Sequence, residues 1–297
     1  MKALHPLQAS VPRAVFLAFV MVIAPFAVLA GATTTTLTAT PNPAYAGQSV
    51  ALRATVTGTS PTGTVTFKDG TTRLGTATLS SGVATLNKSF TATGNRNLTA
   101  TYGGNAGNSA STSAVVILTV NPKNNTTAIL ATNPKPSFAG QSVTMTATVT
   151  GASPTGTVTF KNGTTTLGTA TLSGGVATRA QTFSTAGTAS LTAVYGGDTA
   201  NNTSTSAVVS QTINAKASTT TSLAASPNPT YANQPVTLTA TISSSTATGT
   251  VTFKDGTTTL GTATASGGVA TLSKSFTATG ARSLTAVYAG DAGNLSS

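Results

Sequence analysis

The phrase Thr-Gly-Thr-Val-Thr-Phe ends at Phe67, Phe160 and Phe253, at a constant spacing of 93 residues. The same spacing relates Tyr45, Phe138 and Tyr231, and again Tyr102, Tyr195 and Tyr288. No insertion or deletion breaks the register between these landmarks. Helical solenoid units run at roughly 20–50 residues, so this longer period means one compact domain copied in tandem. Function narrows to what a string of near-identical domains can do.

Each copy reads as all-β. Val143, Met145, Ala147 and Val149 alternate with polar residues, as do Val50, Leu52, Ala54 and Val56, and Val236, Leu238, Ala240 and Ile242. A period of two places one face on a core and the other in water. Threonine suits the wet face because it is β-branched yet polar. Lys68-Asp69-Gly70, Lys161-Asn162-Gly163 and Lys254-Asp255-Gly256 supply hairpin signals between two runs. Gly94, Gly187 and Gly280 mark tight turns that need a positive φ. Leu98–Tyr102 and its copies place Leu, Ala and Tyr inward, and Ser113–Val120 and Ser206–Ile213 close the first two units. About seven short strands with turns every 8–12 residues or so indicate a β-sandwich of immunoglobulin type. The Cys–Trp–Cys pattern of antibody domains is missing, so the expectation concerns architecture only.

The copies divide the chain into repeat 1 (33–125), repeat 2 (126–218) and repeat 3 (219–297). The linkers, Asn121–Asn125 and Asn214–Ser218, are five residues each, which predicts a semi-stiff rod. With strands lying along it, three units reach on the order of 100 Å. Repeat 3 spans 79 residues and lacks the counterpart of Ser206–Ile213. Loss of that last strand exposes an unpaired edge, which a fragment, a truncated gene or strand addition from another molecule would each explain.

Pro-Thr-Gly-Thr-Val-Thr-Phe-Lys-Asp-Gly, Leu-Gly-Thr-Ala-Thr-Leu and Leu-Thr-Ala-Val-Tyr-Gly-Gly-Asp resemble the bacterial immunoglobulin-like repeats of group 3. The resemblance covers everything after residue 32. It implies a secreted bacterial multi-domain protein with structural or adhesive duties, and it brings no catalytic motif.

The N-terminus carries an address rather than a fold. Lys2 and Arg13 precede an apolar run from Ala14 to Ala30, and Ala30-Gly31-Ala32 is a small-x-small cleavage site. Residues 1–32 read as a signal peptide cut before Thr33, which predicts a secreted or cell-surface protein. The competing reading is an uncleaved anchor helix, but its 17-residue run is at the short limit for a span and contains Pro25. Beyond residue 32 there is no Cys, His or Glu. Thirteen basic residues then stand against four acidic ones, a charge of +9. Such a charge favours cell-envelope polysaccharide, other anionic surfaces or nucleic acid. Yet Arg53, Arg73 and Arg179 align with Thr146, Thr166 and Leu86, so the charge drifts between copies and only the Lys68, Lys161, Lys254 column persists. That drift predicts a tolerant solvent face and no nucleic-acid site. The Lys column reads as a solvated edge that discourages strand pairing.

The inventory assigns no catalytic residue, no cofactor, no metal site and no small-molecule substrate. Without His, Cys or Glu there is no histidine triad, thiolate nucleophile or soft metal site. The carboxylates are Asp69, Asp198, Asp255 and Asp291. Asn162 replaces Asp69, and Asn105 replaces Asp198 and Asp291, so these read as interchangeable turn positions. All twelve aromatics after residue 32 fall in four columns headed by Tyr45, Phe67, Phe90 and Tyr102, enough to fill the cores. The sequence therefore predicts a non-enzymatic stalk or spacer of an exported surface protein, with an adhesin that binds a glycan or protein through its loops as the alternative.

Overall fold

The computed structural model describes residues 1–3 and 30–297. The apolar run read as a signal peptide lies outside the described residues, apart from its last residue, Ala30. The chain divides into two compact units, residues 1–120 with repeat 1 and residues 121–297 with repeats 2 and 3.

Repeat 1 contains β1 (Thr34–Thr40), β2 (Ala44–Tyr45), β3 (Ser49–Thr57), β4 (Thr64–Asp69), β5 (Thr72–Thr78), β6 (Val83–Ser89), β7 (Gly94–Tyr102), β8 (Ser111–Thr112) and β9 (Val116–Asn121). The order β1-β3-β6 forms one sheet, and β2-β9-β7-β4-β5, with β8 on β7, forms the other. The alternating residues meet between them: Val50, Leu52, Ala54, Val65, Phe67, Leu98, Ala100 and Tyr102 are all fully buried. Threonine rows face outward, as where Thr66 pairs with Thr76 and Thr101.

Repeat 2 copies this plan with β10 (Thr127–Asn133), β11 (Ser137–Phe138), β12 (Ser142–Thr150), β13 (Thr157–Asn162), β14 (Thr165–Thr171), β15 (Val176–Thr182), β16 (Gly187–Tyr195), β17 (Ser204–Thr205) and β18 (Val209–Asn214). Repeat 3 has fewer strands: β19 (Thr221–Ser226), β20 (Pro235–Ile242), β21 (Thr250–Asp255), β22 (Thr258–Thr264), β23 (Val269–Ser275) and β24 (Leu284–Tyr288). Its second sheet is β22-β21-β24 alone. The counterpart of β11, Thr230–Tyr231, is not a strand, and Tyr231 is 81% exposed. A groove of about 360 Å³ opens beside it, lined in part by Tyr231, Val236, Phe276 and Leu284.

Three expectations need correction. The Tyr45 column is rim rather than core: Tyr45 and Phe138 are half-buried and Tyr231 is exposed. Lys68 does not guard an edge, because β4 lies between β7 and β5 and the edge belongs to β5. The closing strands begin three residues later than Ser113 and Ser206, whose hydroxyls are instead used inside, accepting from the Ala100 and Ala193 amides. The hairpin loops fall as expected, although Asp69 is the last strand residue and pairs with Thr72, leaving Gly70-Thr71 as the loop. Gly94, Gly187 and Gly280 have φ of 109°, 149° and 124°, the region that favours glycine.

Candidate functional site

A dense polar cluster sits where a connector meets the repeat that follows it. In repeat 3 it is built on the turn after β24. The Asp291 Oδ1 accepts from the Gly293 and Asn294 amides at 2.8 Å each. Its Oδ2 accepts from the Thr248 amide at 2.9 Å, the Thr248 hydroxyl at 3.2 Å and the Tyr288 hydroxyl at 2.9 Å, and Asn294 Nδ2 donates to both oxygens. A carboxylate with this many donors fixes a turn more firmly than an ordinary polar side chain, because charge-assisted hydrogen bonds are the stronger kind.

The connector is then tied to that turn. Ala217 forms a parallel bridge with Asn294, its amide donating to Gly293 O and its carbonyl accepting from Leu295, both at 2.8 Å. Lys216 Nζ donates to the Asp291 main-chain oxygen at 2.6 Å. From repeat 2, the Phe138 ring lies against Gly293, where an added Cβ would stand 3.1 Å from Cζ. The turn at the joint between repeats 2 and 3 is thus both packed against by an aromatic ring and pinned by hydrogen bonds.

Repeat 2 repeats the arrangement. Asp198 accepts from Ala200, Asn201, Thr155 and the Tyr195 hydroxyl, Asn124 bridges Asn201, and Lys123 Nζ donates to the Asp198 carbonyl at 2.5 Å. Burial pushes both carboxyls up, but the bonds they accept outweigh it and hold them well below the usual carboxylate range. Burial and the neighbouring Asp198 push the Tyr195 hydroxyl the other way, to about 12, and Tyr288 is raised for the same leading reasons. In repeat 1 the Asn105 amide instead donates to the Thr62 hydroxyl, and Tyr102 turns to the Thr62 carbonyl. The residue in the Lys position there is Ala30.

The sequence profile described as Bacterial Ig-like domain (group 3) matches residues 37–121, 130–214 and 223–297. The chain belongs to this family. No curated protein matches it. Among solved structures it is similar to the fibronectin(III)-like modules of Clostridium thermocellum CbhA, at 21% identity over 61% of this chain and 94% of that one, with a TM-score of 0.34. It is also similar to the Escherichia coli adhesin FdeC, at 18% identity over 88% and 95%, with a TM-score of 0.31. An I-band fragment of titin aligns at 15% identity over 81% and 88%, with a TM-score of 0.30.

Within the group 3 repeats, two of the four carboxylates named from the sequence, Asp69 and Asp255, form ion pairs with arginines that the sequence reading did not single out. Arg96 meets Asp69 at 3.4 Å and lies over Phe90, and Arg282 meets Asp255 at 2.7 Å and lies over Phe276, 4.4 Å from the ring centre. Repeat 2 has neither partner: Asn162 and Ala189 stand there. Lysine and aspartate at the connector likewise occur together in repeats 2 and 3 and are replaced together in repeat 1. These charges do not drift independently, which corrects the tolerant-face reading for them. Arg53 and Arg73 are exposed, as that reading expects, but Arg179 covers Gly168 where Leu86 covers Gly75.

Sequence reasoning passed over one column altogether. Asn108, Asn201 and Asn294 are nearly fully buried. In repeats 1 and 2 the side chain accepts from and donates to one residue of the facing loop, Thr59 or Ala152. The signal was present as an asparagine repeated three times at 93-residue spacing. Among the described residues, no three of His, Cys, Asp and Glu gather in one place.

Proposed function

We propose that this chain is a non-catalytic stalk or spacer of an exported bacterial surface protein. The observation that carries the reading is the latched connector. A spacer holds its ends apart only if its joints resist folding back, and at the joint between repeats 2 and 3 only Ala215 and Lys216 separate β18 from the bridge at Ala217. Lys216 is itself held through Nζ. All four carboxylates are engaged in turns or ion pairs, which supports a structural rather than a reactive role for them. Small-angle scattering of residues 33–297 tests the proposal. A rod on the order of 100 Å is expected, and a compact particle overturns it. Sequencing the N-terminus of the exported protein tests the address, with Thr33 expected first.

A second reading, adhesion through the loops, is favoured by one feature of repeat 2. Where Arg96 and Arg282 cover their Phe rings in the other repeats, Ala189 leaves a cleft of about 330 Å³ beside Phe183 and Asn162. Binding on a glycan array that Phe183→Ala abolishes would promote this reading, and an array without signal removes it. Strand addition belongs to the same class of partner: the groove beside β24 would receive a strand patterned like β18. Light scattering that shows only monomer, with no uptake of a β18 peptide, rejects it.

A further inference from the structure

We infer that repeats 1 and 2 carry tension along the chain through a shear-loaded clamp on the last strand, reinforced by a side-chain tie that the two repeats build from different residues. The clamp is set by topology. In repeat 2, β11 lies near the entry of the chain, β18 ends at its exit, and the two run parallel, Ser137 beside Ile213 and Phe138 beside Asn214. Force applied at the two ends pulls parallel neighbours in opposite directions along their shared axis. Their hydrogen bonds, including Ala139 N to Asn214 O at 2.9 Å, are then loaded together rather than opened one at a time. On its other side β18 is held by β16 over five residue pairs, from Gly187–Ile213 to Leu191–Val209. The strand β10 precedes the clamp and pairs only with β12, so its detachment passes the load to β11.

The ties point to the same place. In repeat 2, Gln211 on β18 is fully buried, and its Nε2 donates to Pro134 O at 3.0 Å and to the Ser137 hydroxyl at 3.2 Å. It thereby ties the last strand to the segment between β10 and β11. Repeat 1 has Leu118 at that position and ties the same two elements from the opposite direction. There Asn42, between β1 and β2, donates to Ile117 O at 2.8 Å and accepts from the Thr119 amide at 3.2 Å, both on β9. Repeat 2 has Lys135 in the place of Asn42. Two unrelated side chains perform one connection, and β2 and β9 are neighbours as β11 and β18 are.

The inference deepens the spacer reading and rests on it for its purpose, but its test is separate. The full chain is stretched between handles at its two ends by single-molecule force spectroscopy, where each whole repeat releases 93 residues at about 3.6 Å per residue. Gln211→Leu and Asn42→Lys each install what the sister repeat already holds, so folding is preserved. Gln211→Leu also removes a buried Oε1 that has no partner, so its thermal midpoint is expected to move little. Each variant is expected to weaken one class of unfolding event, raising its unfolding rate about fivefold for the lost hydrogen bond, and the double variant to weaken both. Ala139→Pro, which deletes a clamp donor, lowers the force for repeat 2 further. Unchanged rupture forces in the double variant and in Ala139→Pro overturn the clamp. A rod by scattering with unchanged forces keeps the spacer and rejects the clamp, and a compact particle with the expected force losses does the reverse.

Discussion

Asp198 and Asn105 occupy the same column, yet the two side chains do different work. The carboxylate of Asp198 only accepts and gathers a turn, a facing loop and the Tyr195 hydroxyl around itself, whereas Asn105 must spend its amide on Thr62. Asp198→Asn is therefore expected to cost about 1–3 kcal/mol at neutral pH, read by urea denaturation. The pH dependence has a definite sign. Because the folded-state pKa lies below the unfolded value, the contribution is fully present above about pH 5 and is lost as the pH falls toward the folded value. The difference between wild type and Asp198→Asn should shrink steadily from pH 5 to pH 2 or so; a constant difference contradicts the assignment. A turn role for this column was legible in the sequence. The hub was not, because Asp and Asn look equivalent until their donors are counted. The buried Asn294 column was missed for a related reason: asparagine near glycine reads as a solvated turn, and only packing shows that it faces inward.

At the scale of the strand, the alternation of threonine with apolar residues was enough to place β3, β12 and β20 and their buried faces. Alternation does not separate interior strands from edges, and the edge role read for Lys68 belongs to β5. Nor does alternation show which glycines are covered. Gly75 and Gly261 lie under Leu86 and Leu272, whose Cδ2 atoms stand 3.1 and 3.0 Å from where a Cβ would be. In repeat 2 the cover is Arg179, and its buried Nε has no partner. Arg179→Leu restores the pattern of the sister repeats and removes that orphan donor. It should stabilise repeat 2 by about 1 kcal/mol, visible as a higher melting temperature. Gly261→Ala should do the opposite by roughly 1–3 kcal/mol, because its methyl must push Leu272 aside. The Arg–Asp pairs escaped notice because their members lie 27 residues apart, and only comparing two columns at once shows that they are exchanged together.

At the scale of the assembly, the 93-residue period made the number of domains plain, while the fastening of the joints stayed hidden. Five residues of linker imply a stiff joint by their shortness alone, but not the means: most of those between repeats 2 and 3 are engaged in pairing or anchored by a side chain. Lys216 is the natural reporter, since trypsin cuts only where the backbone can open. Wild type should resist cleavage there, and Phe138→Ala, by uncovering Gly293, should speed the cut roughly fivefold as followed by mass spectrometry. Equal rates would show that the aromatic contact does not hold the joint. The latch has a further consequence. Lys123 and Asn124 fasten to Asp198 and Asn201, and Lys216 and Ala217 to Asp291 and Asn294, so each latch is written within a single stretch of sequence. A gene segment cut just before the lysine carries both halves of its own fastening. Copying or deleting such a segment changes the length of the array by whole steps without leaving a half-fastened joint, so reach can be inherited as a simple count.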